Sequence, residues 1–129
     1  MTPELTILTL AALLQAVQFA IFSVAAQMQV GTRYAASPRD VPRQLTGLAG
    51  RAQRALNNHF EGLILFSIAV MVVTYSDIGD AFTAAAALVY LAARILYVPA
   101  YLFGWTPWRS LIWFAGFLAT VFMLIWCLL

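Results

Sequence analysis

Two groups of ionisable and polar side chains interrupt the apolar parts of this sequence. The first group falls within an arc of about 80° on a helix and consists of Arg51, Arg54, Asn58 and Glu61. The second group falls within an arc of about 60° and consists of Tyr90, Arg94, Tyr97 and Tyr101. Because guanidinium groups bind carboxylates in a bidentate geometry, these residue types favour an anionic ligand with several hydrogen-bond acceptors.

Each of these residues also has a structural explanation. Arg51 and Arg54 could be interfacial arginines whose charged ends reach the lipid headgroups. Glu61 could form an ion pair with Arg54 or Arg94 that fixes helix packing. The tyrosines could form an aromatic belt at the membrane surface. Arg109 is expected at the same depth as both groups. The presence of the two groups and Arg109 at one depth favours a polar pocket over these separate explanations.

The elements that must position these residues are membrane-spanning helices. Of the 129 residues, 64% are hydrophobic and 9% are charged, whereas roughly 25% are charged in a soluble domain. Four apolar stretches approach the length of about 20 residues that spans a bilayer, and they cover residues 5–28, 45–75, 81–103 and 108–129. No alternating pattern typical of a membrane β-barrel is present. The sequence therefore predicts an all-α, integral membrane four-helix bundle in a single domain, 1–129.

The arginine distribution predicts the orientation in the membrane. Arg33, Arg39 and Arg43 lie in the first loop and Arg109 in the third connection, while the other loops and both termini contain no arginine or lysine. Because cytoplasmic loops are enriched in basic residues, we expect both termini outside and the polar residues near the cytoplasmic side.

Other classes of site receive little support. The net charge of +2 is too small and too dispersed to indicate nucleic-acid binding. Cys127 is the only cysteine and lies in an apolar run, which predicts an inert thiol. His59 is the only histidine and lacks histidine or cysteine partners, so no metal site is expected. We expect it to pack against a neighbouring helix or to form a local hydrogen bond.

Two sequence stretches resemble a known family. The run from Arg51 to Glu61 is similar to the helix-two signature of the MAPEG family, the membrane-associated proteins in eicosanoid and glutathione metabolism. The run from Arg94 to Tyr101 is similar to the helix-three signature, and it is followed by Pro107-Trp108-Arg109-Ser110. The resemblance covers the whole chain and is strongest to the short bacterial members.

The resemblance implies a homotrimer in the bacterial inner membrane, with glutathione bound between adjacent subunits near the cytoplasmic side. The residues implied in holding glutathione are Arg51, Arg54, Asn58, Glu61, Arg94, Tyr97 and Tyr101. Arg109 is implied in the chemistry, where its charge would stabilise the glutathione thiolate. The expected activity is that of a glutathione-dependent transferase or peroxidase, acting on hydrophobic electrophiles or lipid hydroperoxides.

Two positions depart from the pattern of the leukotriene-synthase-like members. Those members carry a tyrosine directly after the helix-two glutamate, where this chain has Gly62, and a glutamine where it has Leu56. One or two ligand contacts and the substrate class are therefore open. The alternatives are a non-catalytic relative that binds lipid or a partner protein, and a small channel or transporter subunit.

Overall fold

The computed structural model describes residues 1–31, 34, 37–38 and 45–129. Arg33, Arg39 and Arg43, on which the predicted orientation depends, lie outside the described residues.

Four long helices run through the described chain. They are α1 (Pro3–Val30), α2 (Gly47–Ser76), α3 (Ala81–Leu102) and α4 (Trp108–Trp126). Each is long and apolar enough to cross a membrane, which confirms the all-α, four-helix membrane fold. Their ends lie three residues or fewer from the bounds expected from hydropathy.

The helices α2 and α3 occupy the centre of the bundle. The helix α1 packs on both of them from one side and α4 packs on both from the other, while α1 and α4 share no contact within the described residues. The core of the bundle contains Phe66, Val70 and Met123, all fully buried. The Phe66 ring is stacked on that of Tyr90, with the ring centroids 3.8 Å apart.

Hydrogen bonds join the helices at both ends of the bundle. At one end, the side-chain amide of Gln29 bonds to the backbone carbonyl and N–H of Thr46 at 2.9 and 2.8 Å. At the other end, the Thr83 hydroxyl lies 2.7 Å from a carboxylate oxygen of the buried Glu4. The indole N–H of Trp126 donates to Asp80 at 3.0 Å. These contacts fix α1 and α4 against α2 and α3.

Asp80 caps the N-terminus of α3. Its Oδ1 accepts from the backbone N–H groups of Phe82 and Thr83 at 2.9 and 3.0 Å. The Thr83 hydroxyl in turn accepts from the Asp80 N–H, which completes a capping box. The hydrogen bond from the Thr83 N–H is the main reason that the pKa of Asp80 lies below its ordinary value.

The central position of Phe66 gives a test of the core. Replacing Phe66 with Ala removes a fully buried ring between α2 and α3, which should lower the free energy of unfolding by about 3–5 kcal/mol. Phe60→Ala is the matched control, because Phe60 lies on the same helix and is 48% exposed; it should change stability by about 0.5 kcal/mol or less. Thermal unfolding in detergent measures both. Equal losses for the two variants would contradict this core.

Candidate functional site

The guanidinium of Arg94 lies buried between α2 and α3, with 3% of the residue exposed. Its Nη1 donates to Asn58 Oδ1 at 2.9 Å, and its Nε donates to His59 Nδ1 at 3.3 Å. The charge lies 4.6 Å from the centre of the Tyr97 ring, a cation–π distance. All three partners are uncharged, and Nη2 is buried without a hydrogen-bond partner in the described chain.

The hydrogen bonds of His59 determine its tautomer. Its Nε2 lies 2.9 Å from the backbone carbonyl of Ala11 on α1. Because a carbonyl only accepts, Nε2 must carry the proton, and because Arg94 Nε only donates, Nδ1 must be unprotonated. His59 is therefore neutral in this arrangement. It connects α1, α2 and the buried cation of α3.

A second cluster surrounds the ring of Tyr101 at the end of α3. The Nε of Arg54 donates to the Tyr101 hydroxyl at 3.0 Å. The guanidinium of Arg109, at the start of α4, lies 4.7 Å from the centre of the same ring. Tyr101 therefore holds two cations from different helices near one point.

Arg51 and Glu61 lie at the two ends of the first polar group, which forms a stripe along α2 (the α2 stripe). Arg51 Nη1 donates to the Leu102 carbonyl at 3.2 Å, so this arginine satisfies a free carbonyl at the C-terminus of α3. Glu61 is exposed in the single chain. Among the residues that the structure describes, no ion pair joins Glu61 to Arg54 or Arg94.

Two cavities lie beside these residues. The first, which we call the outer cavity, has a volume of about 560 Å³ and is lined by Asn58, Tyr97, Tyr101, Arg109, Ser110, Leu111, Trp113 and Phe114. The second, which we call the inner chamber, has a volume of about 160 Å³ and is lined by Asn58, Glu61, Gly62, Leu65, Tyr90, Arg94, Trp113, Gly116, Phe117 and Thr120. Asn58 and Trp113 line both cavities, which places the two side by side.

The structure brings the two polar stripes of the sequence into contact. Arg54 bonds to Tyr101 and Asn58 bonds to Arg94, so residues of α2 and α3 form pairs, and Arg109 joins them from α4. Tyr90 lies deeper than the rest, and it lines the inner chamber but not the outer cavity. Glu61 reaches the chamber wall without an ion-pair partner in the described ranges.

Three residues of the site were not selected from the sequence. By helical periodicity His59 lies on a different face of α2 from Asn58, yet Arg94 donates a hydrogen bond to each of them. The one sequence feature that could have indicated a role for His59 in the site is its position directly after Asn58. Gly62 and Trp113 line the cavities. Gly62 was visible in the sequence only as a departure from the family pattern, and Trp113 lies within the apolar stretch 108–129 among other aromatic residues.

Comparison with known families matches residues 5–129 to the model of the MAPEG family. The chain belongs to the MAPEG family. The match includes every residue of the two polar stripes and Arg109, so the family assignment and the observed clusters concern the same part of the chain. Members of the MAPEG family generally use glutathione. No curated protein matches this MAPEG chain significantly.

The partnership of Asn58 with Arg94 gives a test of the buried network. In this MAPEG protein, Asn58→Ala should lower the free energy of unfolding by about 1–3 kcal/mol, because a buried guanidinium nitrogen loses its acceptor. Asn57→Ala is the matched control; Asn57 is exposed, and its loss should cost about 0.5 kcal/mol or less. Chemical denaturation in detergent separates the two variants. A cost for Asn58→Ala no greater than the control's would show that Arg94 does not depend on this bond.

Proposed function

We propose that this protein is a glutathione-dependent transferase or peroxidase that acts on hydrophobic electrophiles or lipid hydroperoxides dissolved in the membrane. The observation that carries the proposal is that four arginines in one half of the bundle have no carboxylate partner among the described residues. They are Arg51, Arg54, Arg94 and Arg109. Uncompensated cations at membrane depth indicate an anionic ligand.

Glutathione fits this set of residues in charge and in size. It carries two carboxylates and one ammonium, for which the arginines and Glu61 are suitable partners. The outer cavity, at about 560 Å³, is within the usual range of small-molecule sites, roughly 300–1,000 Å³. Asn58, Tyr97 and Tyr101 line that cavity and add neutral hydrogen-bonding groups. The proposed binding residues are therefore Arg51, Arg54, Asn58, Glu61, Arg94, Tyr97 and Tyr101.

Arg109 is the proposed catalytic residue because it lines the outer cavity and its guanidinium is held over the Tyr101 ring. A free thiol with a pKa of about 8.5 is only a few per cent ionised at neutral pH. A cation near the sulfur favours the thiolate, which is the nucleophile. In transfer, a bond forms between sulfur and carbon while the leaving group departs with its electron pair. In reduction, two glutathione molecules are oxidised to the disulfide, and the hydroperoxide becomes an alcohol and water.

The exposure of Glu61 supports an assembly of several subunits. Glu61 lies 14 residues into α2, or roughly 20 Å along its axis, which places it near the middle of the span. A carboxylate that faces lipid at this depth costs roughly 2.5–3.5 kcal/mol. We therefore propose a homotrimer in which a neighbouring subunit covers this face and completes the site. The assembly would lie in the bacterial inner membrane, with the site toward the cytoplasm and both termini outside.

The role of Arg109 is tested by the state of bound glutathione. Arg109→Ala should abolish most of the thiolate absorbance that appears on glutathione binding and lower kcat with an aryl halide by about 100-fold. Arg109→Lys should retain part of both signals because it keeps the charge. Ultraviolet difference spectra and turnover of the detergent-purified protein provide the measurements.

The outcomes separate the proposed function from its alternatives. If Arg109→Ala leaves thiolate formation and conjugation intact, the catalytic role of Arg109 is wrong. If the wild-type protein binds lipid but gives no thiolate signal and no turnover, the protein is a non-catalytic MAPEG member. Conductance in planar bilayers would indicate a channel instead.

A further inference from the structure

The helix α1 contributes none of the residues proposed to bind glutathione, yet it contacts one of them indirectly through His59. This histidine is fully buried on α2 and contacts both α1 and α3. Its Nε2 lies 2.9 Å from the backbone carbonyl of Ala11, and its Nδ1 lies 3.3 Å from Arg94 Nε. His59 lines neither the outer cavity nor the inner chamber, so any effect that it has on a ligand there is indirect.

The Ala11 carbonyl determines which nitrogen of His59 can accept a hydrogen bond. A neutral imidazole carries one ring proton, which can reside on Nδ1 or on Nε2. A carbonyl beside Nε2 selects the tautomer with the proton on Nε2, and Nδ1 is then free to accept from Arg94. With the proton on Nδ1, two N–H groups would face each other. A single backbone group of α1 therefore keeps His59 in this accepting tautomer.

His59 and Asn58 together fix the plane of the Arg94 guanidinium. Asn58 accepts from Nη1 and His59 accepts from Nε, so two of the three nitrogens are held by different side chains. Because the guanidinium is planar and rigid, holding Nε and Nη1 also fixes the direction of Nη2. Nη2 is buried without a partner in the described part of the chain. The direction in which Arg94 presents this free donor therefore depends on His59.

We propose that His59 is a positioning residue of the glutathione site. In this role, α1 holds the His59 ring in the accepting tautomer, and the ring holds Arg94 in the orientation that binds the ligand. The inference rests on the proposed function, which supplies the ligand. Without the histidine acceptor, the guanidinium gains freedom that a ligand must restrict when it binds. The loss appears as weaker affinity for glutathione, while the chemistry at Arg109 is unchanged.

The tautomer is tested on the wild-type protein by nitrogen NMR. His59 is the only histidine, so isotope-labelled histidine gives the signals of one ring when the protein is purified through a tag without histidine. We expect a proton on Nε2 and none on Nδ1 at neutral pH, and a shift of the Nδ1 resonance on addition of glutathione. A proton on Nδ1, or an Nδ1 resonance that saturating glutathione leaves unchanged, would contradict the proposal.

His59→Phe removes both hydrogen bonds and keeps a ring in the space between the helices. We expect the Kd for glutathione to rise about tenfold, because a hydrogen bond to a charged group is lost. The kcat at saturating glutathione should change less than about twofold. His59→Gln keeps one acceptor and one donor and should return the Kd to within about threefold of wild type. A residue that only filled space would not show this rescue, because glutamine resembles histidine in hydrogen bonding rather than in shape.

Thr83→Val is the matched control for a general loosening of α1. It removes the hydroxyl that lies 2.7 Å from the carboxylate of Glu4, near the N-terminus of α1 and outside both cavities. Chemical denaturation in detergent should show a lower free energy of unfolding for Thr83→Val and for His59→Phe, because each loses a buried hydrogen bond. Calorimetric titration should show a weaker Kd for glutathione in His59→Phe alone.

The outcomes separate this inference from the proposed function. If the wild-type protein binds glutathione and His59→Phe binds it within about twofold, the positioning role is wrong and the glutathione site stands. The same conclusion follows if His59→Gln binds as weakly as His59→Phe, or if Thr83→Val weakens binding equally. If the wild-type protein shows no saturable binding, the proposed function is wrong, and this inference falls with it. The NMR measurement needs no variant and decides the question if His59→Phe does not fold.

Discussion

The arrangement of this protein depends on one buried cation between its two central helices. Arg94 is 3% exposed, and its described partners are the neutral side chains of Asn58, His59 and Tyr97. A charge in a low-dielectric site is costly unless it is paired or well hydrogen-bonded. Three neutral contacts from α2 and α3 stabilise this charge, and His59 extends the network to α1 through its contact with the Ala11 carbonyl. The packing of the helices and the proposed ligand site therefore depend on the same group.

Most of the fold could be predicted from the sequence because the bilayer restricts the choice of structure. Apolar stretches of the right length, such as 81–103 and 108–129, leave few alternatives to spanning helices. Helical periodicity also placed Arg54 with Asn58 and Arg94 with Tyr101 on common faces. It could not predict the pairs across the helices, because Arg54–Tyr101 and Asn58–Arg94 depend on how far two axes are shifted along each other. His59 was missed for this reason.

The position of Gly62 shows what a departure from a family pattern can do. From the sequence, this glycine appears as a lost ligand contact. In the structure, its missing side chain leaves a chamber beside Tyr90 and Arg94. Glycine at position 62 therefore changes the shape of the site, while the polar side chains of Tyr90 and Arg94 are present beside it.

Calorimetric titration of glutathione into the detergent-purified protein tests the central claim most directly. The account predicts a saturable heat for the wild-type protein and its loss, or a Kd at least tenfold weaker, in Arg54→Gln. Arg54 donates to the hydroxyl of Tyr101, which lines the outer cavity. Gln53→Ala, an exposed neighbour, should bind like wild type. No saturable heat in the wild-type protein, or equal affinity in Arg54→Gln, would contradict a glutathione site at these arginines.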